Sequence, residues 1–162
     1  MKTLLRTLLF LALIVWLGVE VFFPVIAAVT FTTVPDTHVA GSIVGQLLRT
    51  LHWMGLIAGM TALLLLAIAP TWGVYKSRSV LTPMALVTLM IVGTSYSQFG
   101  IIPSMERDRI AAGGAIDATD KSSPQTVHFN KLHNRSMLVE EIVLLLGVAT
   151  VVFIARAETV RT

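Results

Sequence analysis

Four apolar runs, residues 8–29, 51–71, 81–102 and 137–155, constrain this chain more than anything else in it. Each is about 19–22 residues long, enough to cross a hydrocarbon core of about 30 Å at 1.5 Å per residue. Inside that core the backbone finds no water, so each run must satisfy its own N–H and C=O groups as a helix. Of the 162 residues, 55% are hydrophobic and 13% charged, and the mean hydropathy is +0.81. That leaves too little polar surface for a soluble domain. The reading is an all-α, four-transmembrane-helix bundle, a single integral membrane domain over residues 1–162, with a long, partly ordered connection between helices three and four.

The chain contains no cysteine, which removes disulfides, thiolate metal sites and cysteine nucleophiles. Lys2 and Arg6 precede the first run in the manner of a secretory signal, but the apolar stretch continues to about Val29 without a small-x-small site, so it reads as a retained helix. Pro24 is expected to kink it. Pro35 and Asp36 read as a turn with a helix N-cap, and from Val39 the pattern runs unbroken into the second span. In the third connection, AAGGAIDATDKSSPQ has loop composition, whereas PSMERDR before it and VHFNKLH after it look ordered.

The pI of about 9.7 reflects basic residues near helix ends. No basic run with interleaved aromatics points to nucleic acid. Lys2, Arg6, Lys76, Arg78, Arg156 and Arg161 fall on the side of the chain ends; Arg49, Arg107, Arg109, Lys121, Lys131 and Arg135 fall on the other. Weighting short connections and flanks puts both termini in the cytoplasm, across a bacterial inner membrane.

On the second helix, Gly41, Gly45, Leu48, His52, Gly55, Gly59 and Ala62 recur at steps of 4 and 3, one face of a helix. Its two GxxxG pairs mark close packing by a neighbouring helix and turn His52 inward, with Arg49 on an adjacent edge. On the fourth helix His133, Ser136, Glu140 and Gly147 share a face; Glu141 lies about 100° away, aimed at another helix or a partner subunit. Glu20 lies deep in the first helix, and Tyr96 and Gln98 belong to a polar patch before Pro103. All these polar residues gather in one half of the bundle. Unpaired ionisable groups there cost about 2.5–3.5 kcal/mol each on insertion scales, so they need partners, water or a cation.

His52 with His133 therefore reads as a hydrogen-bonded pair joining two helices, as a metal or haem site with Glu140, or as part of a proton or ligand path. Glu20 reads as a partner of Arg49, as a neutral hydrogen-bonded carboxyl, or as a proton carrier. Arg109 joins the same group through the PSMERDR arm. The methionines and tryptophans read as packing and interface anchors. No Walker loop, serine triad or HExxH is present, which leaves no sign of hydrolytic catalysis.

The stretch WLGVEVFFPVIAAVTFTTVPDTHVAGSIVGQLLRTLHWMGL, followed by Pro103, Met105, Arg109, Phe129, Leu132, His133 and Ser136 in order, resembles the bacterial transmembrane protein 205-like family. The resemblance covers nearly the whole chain and implies four helices in a membrane, but no reaction. It also implies a small polar residue near the place of Glu140, where this chain has a carboxyl. A looser likeness to the membrane protoporphyrinogen oxidases lacks an interior lysine in the spans.

The function expected is that of a non-enzymatic membrane protein whose His/Glu-lined site binds a divalent metal, haem or a small solute. The alternatives are an accessory subunit of a larger membrane complex, or a homo-oligomer, and a haem- or porphyrin-linked oxidoreductase.

Overall fold

The computed structural model describes residues 1–116 and 119–159. Arg161 of the charge balance, and Asp117 and Ala118 of the third connection, lie outside the described residues. The elements are α1 (Lys2–Thr33), α2 (Thr37–Ile68), α3 (Ser77–Tyr96), a π-helical turn (Ser97–Ile101), α4 (Ile102–Ala111) and α5 (Pro124–Thr159). No strand occurs among the described residues. Counting α3, the π turn and α4 as one rod, four helices are long and apolar enough to cross a membrane.

The helices begin and end where local chemistry requires. Val34 leaves the helix in an extended conformation, and Asp36 Oδ1 then accepts from the backbone N–H groups of His38 (2.8 Å) and Val39 (3.2 Å), capping α2. Gly73 closes the turn between α2 and α3 at φ +60°, where an L side chain would be strained. Ser123 caps α5 through its Oγ, which accepts from the Thr126 N–H (3.2 Å), and Pro124 takes the first helical position. α5 therefore starts well before the apolar run at residue 137. In the loop ahead of it, Asp120 accepts from the backbone N–H of Ser122 (3.0 Å) and then from its hydroxyl (2.8 Å), which holds the carboxyl below its ordinary range.

The helices alternate in direction, so α1, α2, α3 and α5 form a ring in which each packs on the next. The start of α1 and the end of α5 lie at one end of the bundle, where Glu158 Oε1 accepts from the Tyr75 hydroxyl (2.6 Å) and lies 3.2 Å from Arg6 Nε. Large apolar residues populate the outer faces, among them Ile14, Phe22, Ile57, Leu64, Leu81 and Leu145. An apolar exterior of this extent suits a hydrocarbon environment. The protein is an integral membrane protein.

Within the ring, Leu5, Leu9, Leu13, Trp16 and Glu20 line the buried face of α1. The part of the glycine stripe from His52 onward faces inward, with His52, Gly55, Gly59 and Ala62 buried, whereas Gly41, Gly45 and Leu48 are only partly buried. Its partner is not a bare helix backbone, however. A Cβ at Gly55 would stand 2.7 Å from Trp16 Nε1, and one at Gly59 would collide with the same indole ring. The second GxxxG pair is a seat for one tryptophan.

Candidate polar site in the bundle interior

His52 has no exposed surface, and both of its ring nitrogens are engaged. Nδ1 lies 3.1 Å from Gln98 Oε1 and Nε2 lies 2.7 Å from Glu140 Oε1. An amide oxygen can only accept, so Nδ1 carries a proton and donates it to Gln98. One further proton sits between Nε2 and the Glu140 carboxyl, and it belongs to the pair. Ser97 Oγ donates to the same carboxyl oxygen (3.0 Å), and Ser136 Oγ lies 3.4 Å from Ser97 Oγ.

The π turn presents two of these partners. Consecutive residues of an α-helix are separated by about 100°, so Ser97 and Gln98 would diverge. The wider turn keeps both buried, with the Ile102 N–H bonded back to the Ser97 carbonyl. Pro103, which has no N–H, follows directly, and an interrupted hydrogen-bond ladder of this kind is frequent at functional sites.

Glu20 is buried beside the Trp16 indole and within electrostatic reach of Glu140. Glu20 Oε1 and Glu140 Oε2 are buried with no hydrogen-bond partner among the described residues. Glu140 thus bonds the buried imidazole while Glu20, from another helix, lies within electrostatic reach of Glu140, and each carboxyl has a buried oxygen without a partner.

The structure brings together His52, Gln98, Ser136, Glu140 and Glu20. It corrects four other expectations. His133 does not meet His52: it is exposed and stacks on Phe129, with ring centroids 6.5 Å apart. The buried stripe of α5 passes instead through Leu132, Ser136, Val143 and Gly147, because α4 packs against this end of the helix and sets its rotation. The set His52, His133 and Glu140 is therefore not assembled, and no group of three or more His, Asp or Glu able to hold a metal occurs among the described residues. Arg49 does not pair with Glu20; its Nη2 lies 3.7 Å from Glu106 Oε2, and Arg109 Nη1 lies 3.6 Å from the same oxygen. Tyr96 is exposed, and its hydroxyl accepts from Arg135 Nη1 (3.2 Å).

Two participants were not read from the sequence as part of the site. Ser97 was one residue of a polar patch, and only its adjacency to Gln98 before Pro103 marked it. Trp16 shares a face with Glu20 and occupies the glycine pair that faces it.

A family model described as a domain of unknown function, DUF4149, matches residues 11–109. That span holds Trp16, Glu20, His52, Ser97 and Gln98 but stops before Glu140. No curated protein and no solved structure matches the chain.

Proposed function

We propose, from the premise that the chain belongs to the family of the domain of unknown function DUF4149, that it is a non-enzymatic membrane protein binding a small hydrogen-bond-donating solute by proton exchange at His52, Glu140 and Glu20. The observation that carries this reading is the pair of unpartnered buried oxygens, Glu20 Oε1 and Glu140 Oε2. Buried polar atoms are nearly always satisfied, and exceptions mark bound water, ions or chemistry. A carboxylate oxygen accepts when its group is ionised; the Trp16 Nε1–H, also buried without a partner, lies beside Glu20, and the complement of the remaining oxygen on Glu140 is a donor such as a protonated amine or a hydronium. The proton held between His52 and Glu140 supplies a charge that can leave when such a cation enters.

Geometry favours this reading over a metal or haem. Both nitrogens of His52 are committed, so a metal ion would have to displace Gln98 or Glu140, and His133 is turned away from a second axial position. The transmembrane protein 205-like assignment, and a bacterial inner membrane with both termini cytoplasmic, belong to the same proposal. Infrared difference spectra of the protein in nanodiscs, recorded as the pH is stepped, should contain carboxyl bands. Glu20→Gln and Glu140→Gln should each remove one, and His52→Gln should displace the Glu140 band. Carboxyl bands in the unaltered protein that hold still at every pH would overturn the reading.

A second reading, the accessory subunit, has one observation of its own. Glu141 is exposed on an outer face it shares with Leu138, Ile142 and Leu145. A carboxyl facing lipid costs about 2.5–3.5 kcal/mol on insertion scales, and a neighbouring subunit with a donor removes that cost. Native gels after mild extraction should show a species larger than 17.6 kDa plus bound lipid and detergent, reduced to a single chain by Glu141→Leu. A lone chain before substitution excludes this reading.

A further inference from the structure

At the end of the bundle away from the start of α1 and the end of α5, α2 and α4 part to leave a cleft of about 210 Å³. Ser42 and Arg49 of α2 face Glu106 and Arg109 of α4 across it, above an apolar floor of Ile102 and Met105. Gly45 of the first glycine pair of α2 lines this space. A Cβ at Gly45 would meet nothing within 4 Å, and one at Gly41 would meet only Arg109 Nη2, at 3.9 Å. The small residues that mark helix packing in the sequence here leave a gap instead.

The charges in the gap are unevenly matched. Both guanidinium groups share one carboxylate oxygen, at 3.7 and 3.6 Å, too far for a hydrogen bond. Neither guanidinium makes another ion pair among the described residues. Two positive charges against one negative leave the cleft with a net charge of +1. Each guanidinium presents a planar fork of N–H donors, the geometry that fits an oxyanion bidentately.

We infer that this cleft binds a phosphate group, bridged by Arg49 and Arg109, with the ligand's apolar part against Ile102 and Met105. Glu106 is a weak stand-in that the phosphate displaces. The same chemistry is offered by the headgroup of an anionic phospholipid and by free phosphate; basic pockets between membrane helices take lipid headgroups in this way. The inference does not rest on the His52 site, and none of its residues takes part there.

The test is a native mass-spectrometric titration of the detergent-solubilised full chain with phosphatidylglycerol, with phosphatidylcholine and with inorganic phosphate. One phosphatidylglycerol should bind per chain in preference to phosphatidylcholine. Arg49→Gln and Arg109→Gln should each weaken it about tenfold or more, the loss of a charge-assisted hydrogen bond. Glu106→Gln should tighten binding several-fold, because it removes the competing carboxylate; this variant keeps the proposal testable if an arginine variant fails to fold. Displacement of the lipid by inorganic phosphate assigns the site to phosphate from either source, and lack of displacement assigns it to the lipid headgroup. Equal retention of the two lipids together with no saturable phosphate binding would overturn the proposal. Weaker binding in Glu106→Gln would overturn it as well, by making the arginine–glutamate contacts a structural bridge.

Discussion

Glu140→Ala is expected to lower the stability of the bundle by about 3–5 kcal/mol, the range for breaking a buried charged or hydrogen-bonded pair from one side. The effect falls towards the lower end because the Glu140 side chain keeps 17% of its surface exposed. The loss comes less from the missing contact than from what remains. His52 has no exposed surface, and its Nε2 would face an apolar interior with no acceptor or donor opposite. Ser97 Oγ would lose its acceptor too.

The same reasoning makes the double variant His52→Leu/Glu140→Leu milder than the sum of its parts. Replacing both partners by apolar groups of similar size removes the desolvation cost along with the bond, and such replacements are often close to neutral. Denaturant titration followed by circular dichroism, run on both singles and the double, gives the coupling energy directly. Additive effects, with no coupling above a few tenths of a kcal/mol, would mean that the 2.7 Å contact does not hold the two helices together. A double variant that folds but has lost the pH-dependent infrared signal would separate what the pair does for folding from what it does for proton exchange.

The second large effect is at the tryptophan seat. Gly59→Leu should destabilise by about 3 kcal/mol or more, at the upper end for overpacking, because the indole of Trp16 already occupies the space of a Cβ. Trp16→Ala should cost about 3–5 kcal/mol by leaving a cavity against Gly55 and Gly59. Combined in one chain, the leucine fills the cavity, and the double variant should be more stable than Trp16→Ala alone. A double variant as unstable as the two losses added together would show that α1 and α2 are held by something other than this fit. The prediction is independent of any ligand and reads out through the same unfolding measurement.

How far the site was legible varies residue by residue. His52 could be turned inward from sequence because glycine and alanine at steps of 3 and 4 leave only one face of α2 able to accept a close neighbour. Glu140 and Ser136 followed from the spacing on α5, and Gln98 from a polar patch just before a proline. His133 shared that spacing on paper but lies one residue off the buried stripe, where α4 packs against the helix and Leu132 takes the inward position. Arg49 looked like the nearest cation for Glu20; the choice between Glu20 and Glu106 depended on where the α3–α4 rod carries Glu106 relative to α2, which no local pattern encodes.

By itself the sequence determined four helices long and apolar enough to cross a membrane, since apolar runs of that length leave the backbone no other way to be satisfied there. It also determined the inward face of α2, because periodicity is a property of one helix. Only the tertiary structure decided which partner each polar group found: Gln98 and Glu140 for His52, Glu106 for both arginines, and a tryptophan for the glycine pair. Spacing fixes a direction to within about one helical step, whereas a hydrogen bond is decided within a few tenths of an ångström. That remaining distance is set by the packing of separate helices and by the π turn that re-aims Ser97 and Gln98.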